Sequence, residues 1–232
     1  MKKKNWNVVR ARAWNVQKKT SINWHSKDKM ERTVKALKDN GFDALYVDTK
    51  EEALEKLLQR IPQGSKIGIG GSMTLREIGL VDALNERGDY IADIWAKKHS
   101  TEEDMEIRKQ HFSMDIFLTS SNAISEDGKL INIDGLGNRV AAMIFGPKKV
   151  IVVVGINKII KDVHEGIERI RNIAAPMNVK RFEGKTPCTL NGNCDLNKCK
   201  PPNRHCHIIT IIEKKPMKTD TTVIIIGECL GF

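Results

Sequence analysis

Short continuous apolar runs recur along this chain, and most are followed by a stretch whose apolar residues fall at helical spacing. Residues 42–47 (FDALYV) read as a buried strand. Thr49 and Glu52 then stand as a capping box, and Ala53, Leu54, Leu57, Leu58 and Ile61 repeat at helix period. Pro62 to Ser65 is a turn, residues 66–69 are a short strand, and Leu75, Ile78, Val81 and Leu84 mark one face of the next helix. A charged helical stretch near residues 101–111 leads into an apolar strand at 114–119. Asp127-Gly128 joins residues 122–125 to 129–134 as a hairpin. A small-residue helix over 139–145 stops at Gly146-Pro147. The β-branched run 150–154 is the clearest buried strand, and Ile156, Ile159, Ile160, Val163, Ile167 and Ile170 behind it predict a helix. Residues 207–212 and 223–226 are further strands.

Strand-then-helix repetition predicts an α/β fold: a mainly parallel sheet with helices on both faces. Two segments stand outside it. Residues 183–206 carry almost no apolar residues and no period, so something other than a core must order them. Residues 1–24 form a basic arm, predicted as helical, ahead of a single domain over 25–232.

Charge sharpens that division. The formal net charge is +10, but residues 1–40 hold twelve Lys/Arg against three Asp/Glu, and the remainder hold 27 against 26. The body is nearly neutral. Trp6, Val9, Ala13, Trp14 and Val16 form an apolar stripe beside the basic face, which suits packing on the protein or a sister subunit. The expectation is therefore a homo-oligomer, with nucleic acid disfavoured because no aromatic-rich basic surface extends beyond the arm. No apolar run approaches the ~20 residues of a membrane span. No signal-peptide core follows Met1-Lys2-Lys3-Lys4, so the expected location is cytoplasmic.

In a reducing compartment clustered cysteines point to metal or redox chemistry. Cys188, Cys194, Cys199 and Cys206 lie in the core-free loop, with five, four and six residues between them, and Cys229 stands apart. Four thiolates suit a 4Fe–4S cluster or zinc, and binding would order the loop; the alternative is unligated thiols or a disulfide pair. His205 and His207 flank Cys206 as alternative ligands or exposed loop residues.

A second constellation follows the strand 66–69. Gly70, Gly71, Ser72 and Thr74 open a helix, where backbone N–H groups favour an anion. Alternatively, Thr74 and Glu77 simply form a capping box. Ser120 and Asn122 follow another strand, as do Asn138 and Arg139, and Asn157 and Lys158 follow a third. Strand carboxyl ends are where open α/β sheets bind ligands. Arg139 is a candidate carboxylate clamp, or else the partner of Asp134; Lys158 is a candidate point charge. Glu77 and Asp134 are the carboxylates available for proton transfer. No serine-hydrolase elbow, Walker loop, HExxH or GxGxxG is present.

The runs IGIGGSMTLREIGL, LTSSNAISEDGKLINIDGLGNRVA, GPKKVIVVVGINKI, RIRNIAAPMN, the TPC…GNC…C…RHC array and the terminal LGF resemble the LUD domain family of lactate-utilisation proteins over about residues 25–232. One departure is that Cys194 and Cys199 have four residues between them where relatives often have two. The resemblance implies a fold like that of the ribose-5-phosphate isomerase, glucosamine-6-phosphate deaminase and CoA-transferase superfamily. It also implies a redox or accessory role in L-lactate catabolism, on a small anionic metabolite and beside iron–sulfur electron-transfer partners. The alternative is a non-redox enzyme of that fold type, acting on a phosphorylated, carboxylate or CoA-ester substrate.

Overall fold

A computed structural model describes the backbone of residues 3–232 and the side chains of Gln17 and of residues 20–232. The side chains of Trp6, Val9, Ala13, Trp14 and Val16 lie outside the described residues. The strands are β1 (Asp43–Val47), β2 (Lys66–Ile69), β3 (Tyr90–Asp93), β4 (Ile116–Thr119), β5 (Ala123–Ser125), β6 (Leu130–Asp134), β7 (Lys149–Gly155), β8 (Ile159–Ile160), β9 (Ile208–Ile212) and β10 (Asp220–Ile226). The helices are α1 (Lys3–Asp39), α2 (Lys50–Arg60), α3 (Met73–Glu77), α4 (Leu80–Glu86), α5 (Thr101–Gln110), α6 (Asn138–Ile144), α7 (Val163–Arg169), α8 (Ala175–Arg181) and α9 (Pro187–Asn191).

The main sheet has six strands in the order β1-β10-β7-β4-β2-β3, and every pairing is parallel. Alternation along β7 divides the core. Ile151 and Val153 face α2, α3 and α4 through Leu57, Leu75 and Leu84. Val150, Val152 and Val154 face α1 and α6 through Val34, Leu37 and Met143. This is the two-sided helical cover that continuous β-branched runs require. A second sheet, ordered β8-β5-β6-β9, lies on the α1 side. Its outer face packs on Ile170 and Ala174 of the C-terminal helices.

The predicted hairpin is present, with β5 antiparallel to β6. Its turn meets α1: a Cβ at Gly128, where φ is +82°, would stand 2.6 Å from the Ala36 carbonyl carbon. Asn40 Nδ2 donates to the carbonyls of Asp127 and Gly128. Gly128→Ala should therefore cost ~2 kcal/mol or more, by strain and by lifting the hairpin from α1. Thermal denaturation checks this, and an unchanged midpoint would count against the packing described.

Several elements differ from the sequence reading. The helix expected over Leu75 to Leu84 is two helices, because Gly79 adopts φ +73° and turns the chain between α3 and α4. Ser72, and not Thr74, caps α3 by accepting from Leu75 N. The helix expected from Ile156 begins only at Val163, where the Asp162 side chain caps it. Ile159 and Ile160 are instead a short strand, parallel to β5. β3 carries too little apolar periodicity to announce itself; it pairs in parallel with β2 and ends the sheet.

Candidate functional site

The parallel order sets three loops side by side. β2, β4 and β7 end at Ile69, Thr119 and Gly155, so Gly70 to Ser72, Ser120 to Asn122 and Asn157-Lys158 emerge on one edge. The exit of β6 brings Asp134, Asn138 and Arg139 to the same place. Across from them stand the end of α7, a π-helical turn (Ile170–Ala174) and α8. Pro176 lacks the N–H a regular helix would use, and the widened turn lies just ahead of it. Between the two sides lies a cleft of about 540 Å³.

Among the expected residues, Gly71, Ser72, Ser120, Asn122, Asp134, Asn138, Arg139 and Lys158 line this cleft. Gly70, Thr74, Glu77 and Asn157 stand behind the lining. A Cβ at Gly70 would crowd Thr119 Oγ1 and Arg139 Cγ. Glu77 Oε2 accepts from Gly231 N at 2.8 Å, and the Asn157 side chain holds Leu230 and Gly231. Both therefore pin the 228–231 segment against the sheet edge.

Arg139 is not free to clamp a ligand. Its terminal nitrogens donate to Ser120 O, Asn132 Oδ1, Asn122 Oδ1 and Ile133 O, and its Nε lies 3.7 Å from Asp134 Oδ2. It ties the β4 exit to β6 and lends the cleft its charge. Asp134 closes the turn by accepting from Gly135 N and Val140 N. Asn122 also accepts from Ile133 N.

Lys158 is the buried amine at the cleft base, only 4% exposed. Its Nζ donates to Thr74 Oγ1 and Ser120 Oγ, both at 3.0 Å. Burial, then the charges of Arg169 and Arg139, bring its pKa down to about 7. Nearer the mouth, the Arg181 guanidinium lies 4.0 Å from the Trp95 ring and 3.9 Å from the Phe182 ring. Its buried Nε has no hydrogen-bond partner. The cleft acids, Asp104 and Asp134, each face an arginine, Arg108 and Arg139. Among the described residues, Arg181 is left without a carboxylate contact and buried Arg139 adds positive charge, so the cleft favours an anion.

Sequence reasoning missed Trp95, Arg181 and Arg169. Arg169 Nε and Nη1 donate to the carbonyls of Asn157 and Asn122, so it holds two site loops together. The sequence offers Glu165, four residues earlier, as its partner, and gives no sign of the backbone carbonyls it meets. Trp95 sits over the glycine loop, where a Cβ at Gly71 would come within 2.7 Å of its ring.

Cys188, Cys194, Cys199 and Cys206 line one smaller cavity of about 80 Å³, with Arg171, Arg204 and His207 beside them. Burial pushes the Cys206 thiol up to about 11, and the nearness of Cys188, Cys194 and Cys199 adds to the rise. Four thiols facing one cavity are a donor set that a bound cation would favour as thiolates. Among the described residues, no group of three or more His, Cys, Asp or Glu is arranged to hold a single metal ion. His207 is exposed, its Nε2 2.7 Å from Arg204 O. His205 is exposed on the cleft side. Cys229 lies apart and exposed. Cys206, Ile133 and Ala175 line both cavities.

Fold and site together define an α/β protein with a cationic cleft at the carboxyl edge of a parallel sheet and a cysteine cavity adjoining it. Residues 30–226 match the LUD domain family, and the chain belongs to it. The fold is similar to that of a DUF162 family protein from Deinococcus radiodurans, at 14% identity and TM-score 0.51, over 87% of this chain and 98% of that one. Ribose 5-phosphate isomerase A from Methanocaldococcus jannaschii is similar at 18% identity and TM-score 0.33, over 50% of this chain and 56% of that one. No curated protein matches the sequence. Among the described residues, no helix is long and apolar enough to cross a membrane.

Proposed function

We propose that this LUD domain protein works in organic-acid metabolism of the L-lactate type. It holds a small organic acid in the cleft beside a four-cysteine metal site and has a redox or accessory role. The observation that carries this reading is the shared wall: Cys206 belongs to both cavities. A group held by the cysteines would adjoin whatever the cleft holds. Cys188, Cys194, Cys199 and Cys206 would be its ligands. A 4Fe–4S cluster spaces its thiolates more widely than zinc does, which suits sulfurs that face one cavity without closing on one point. Bound there, such a cluster supplies one-electron chemistry, and its partners would be iron–sulfur electron-transfer proteins. Arg181 would hold the acid with the Lys158 amine beside it, and the apolar wall of Ile133, Ile170 and Ala174 would keep water from it.

A second reading is a non-redox enzyme acting on a phosphorylated, carboxylate or CoA-ester substrate. The Lys158 amine, poised near neutrality within the cleft, favours it as a general acid or base.

Anaerobic purification with an absorption spectrum and metal analysis, followed by calorimetry with L-lactate, pyruvate, ribose 5-phosphate and CoA, separates the two. The expected result is a visible iron–sulfur spectrum with binding of L-lactate or pyruvate. A metal-free protein that binds only the sugar phosphate or CoA would overturn the first reading in favour of the second.

A further inference from the structure

Counting donors and acceptors around Lys158 shows what its amine is built to do. The Thr74 hydroxyl donates to Leu230 O and the Ser120 hydroxyl to Ser121 O. Those two hydroxyl contacts are 3.4 and 3.2 Å long, and both oxygens accept from Lys158 Nζ at 3.0 Å. A neutral amine has two N–H donors and one lone pair. Two acceptors satisfy it fully and leave the lone pair free, whereas an ammonium would have a third N–H to place. Among the described residues, no carboxylate touches Nζ. Glu77 acts on it only from a distance, and its Oε2 is occupied by Gly231 N. Arg139 and Arg169 press on the amine with positive charge. Gly231, at φ +60°, closes one side so tightly that a Cβ there would stand 3.1 Å from Nζ. The amine borders the cleft.

We propose that Lys158 is a carbonyl-capturing amine, which forms an imine with the keto or aldehyde group of an anionic ligand in the cleft, a 2-oxo acid being the simplest. The Nζ lone pair attacks the carbonyl carbon, and the C=O π electrons move to oxygen. A proton passes from nitrogen to that oxygen to give a carbinolamine. Loss of water leaves the imine, so amine plus carbonyl gives imine plus water with no oxidant or reductant. Proximity of a free amine to a bound carbonyl is the kind of advantage that replaces a bimolecular encounter. A surface lysine at neutral pH is unprotonated only to about one part in a thousand, while Lys158 titrates at about 7. The proposal rests on the reading of the cleft as an organic-acid site and is independent of what the cysteines bind.

The test is reductive trapping on the full chain. The protein is mixed with pyruvate and sodium borohydride at neutral pH, and the products are read by intact mass and peptide mapping. Pyruvate binding is measured in parallel by calorimetry. The expected product carries the mass of pyruvate less one oxygen, on Lys158, at a level roughly tenfold or more above any surface lysine. L-lactate, which has no carbonyl, should give no adduct and should suppress the pyruvate adduct when in excess. Lys158→Arg should lose the adduct. Mapping on the wild-type chain decides the matter even if that variant fails to fold. Pyruvate that binds without labelling Lys158 preferentially overturns the imine and leaves the organic-acid cleft standing. Pyruvate that neither binds nor labels overturns both.

Discussion

Lys158→Met is expected to stabilise the protein at neutral pH while abolishing capture of a cleft ligand. The ordinary lysine pKa is 10.5, and here it is brought down to about 7. Between those values the unfolded chain holds a proton on Lys158 that the folded chain does not. Stability therefore rises with pH from about 7 to 10.5, and below about 7 the full penalty is present with no further slope. Each tenfold of lost proton affinity is worth about 1.4 kcal/mol. Against this the variant loses the hydrogen bonds to Thr74 and Ser120, each worth ~1 kcal/mol. A net gain on the order of 2–3 kcal/mol at pH 7 is expected, shrinking as pH approaches 10. Urea denaturation of both proteins at pH 7 and 9.5 measures it. A variant that is less stable at pH 7, or that keeps the wild-type pH dependence, would show that Lys158 is not a buried amine held at a cost. Stability given up at one residue is a usual mark of a functional site.

Cys206→Ser is expected to remove most of the bound metal and to disturb the cleft as well. Cys188→Ser, Cys194→Ser and Cys199→Ser should reduce metal content, and Cys229→Ser should not, because it lies outside the cysteine cavity. Only the Cys206 change touches both cavities. It should therefore also alter L-lactate or pyruvate affinity, by roughly tenfold if one polar contact or its orientation is lost. The loop from Phe182 to Cys206 has little core of its own, so metal loss should lower the thermal midpoint by several degrees. Iron and zinc analysis, calorimetry and thermal denaturation of the variant series read these effects. Full metal occupancy in the quadruple Cys→Ser protein would end the four-cysteine assignment.

The sequence by itself determined the parallel α/β order, since β-branched runs such as Val150 to Val154 can be buried on both faces only in such a sheet. It also determined the hairpin, through Asp127-Gly128, and the clustering of four cysteines in a segment without a core. It located the loops at the strand ends, because a parallel sheet must deliver them to one edge. What each side chain does there was decided only by the tertiary structure. Arg139 looked free to clamp an anion, but Asn122, Asn132 and the carbonyls of Ser120 and Ile133 consume its donors. Glu77 looked catalytic, but it holds the Gly231 amide from the far end of the chain. Thr74 looked like a cap, but it turns its oxygen to Lys158. Arg169 and Trp95 went unmarked, since the partners of the first are backbone carbonyls and those of the second are distant guanidinium groups. Periodicity records which face of an element is buried. Hydrogen-bond satisfaction at a loop depends on groups that only the folded chain brings within 3 Å or so of one another.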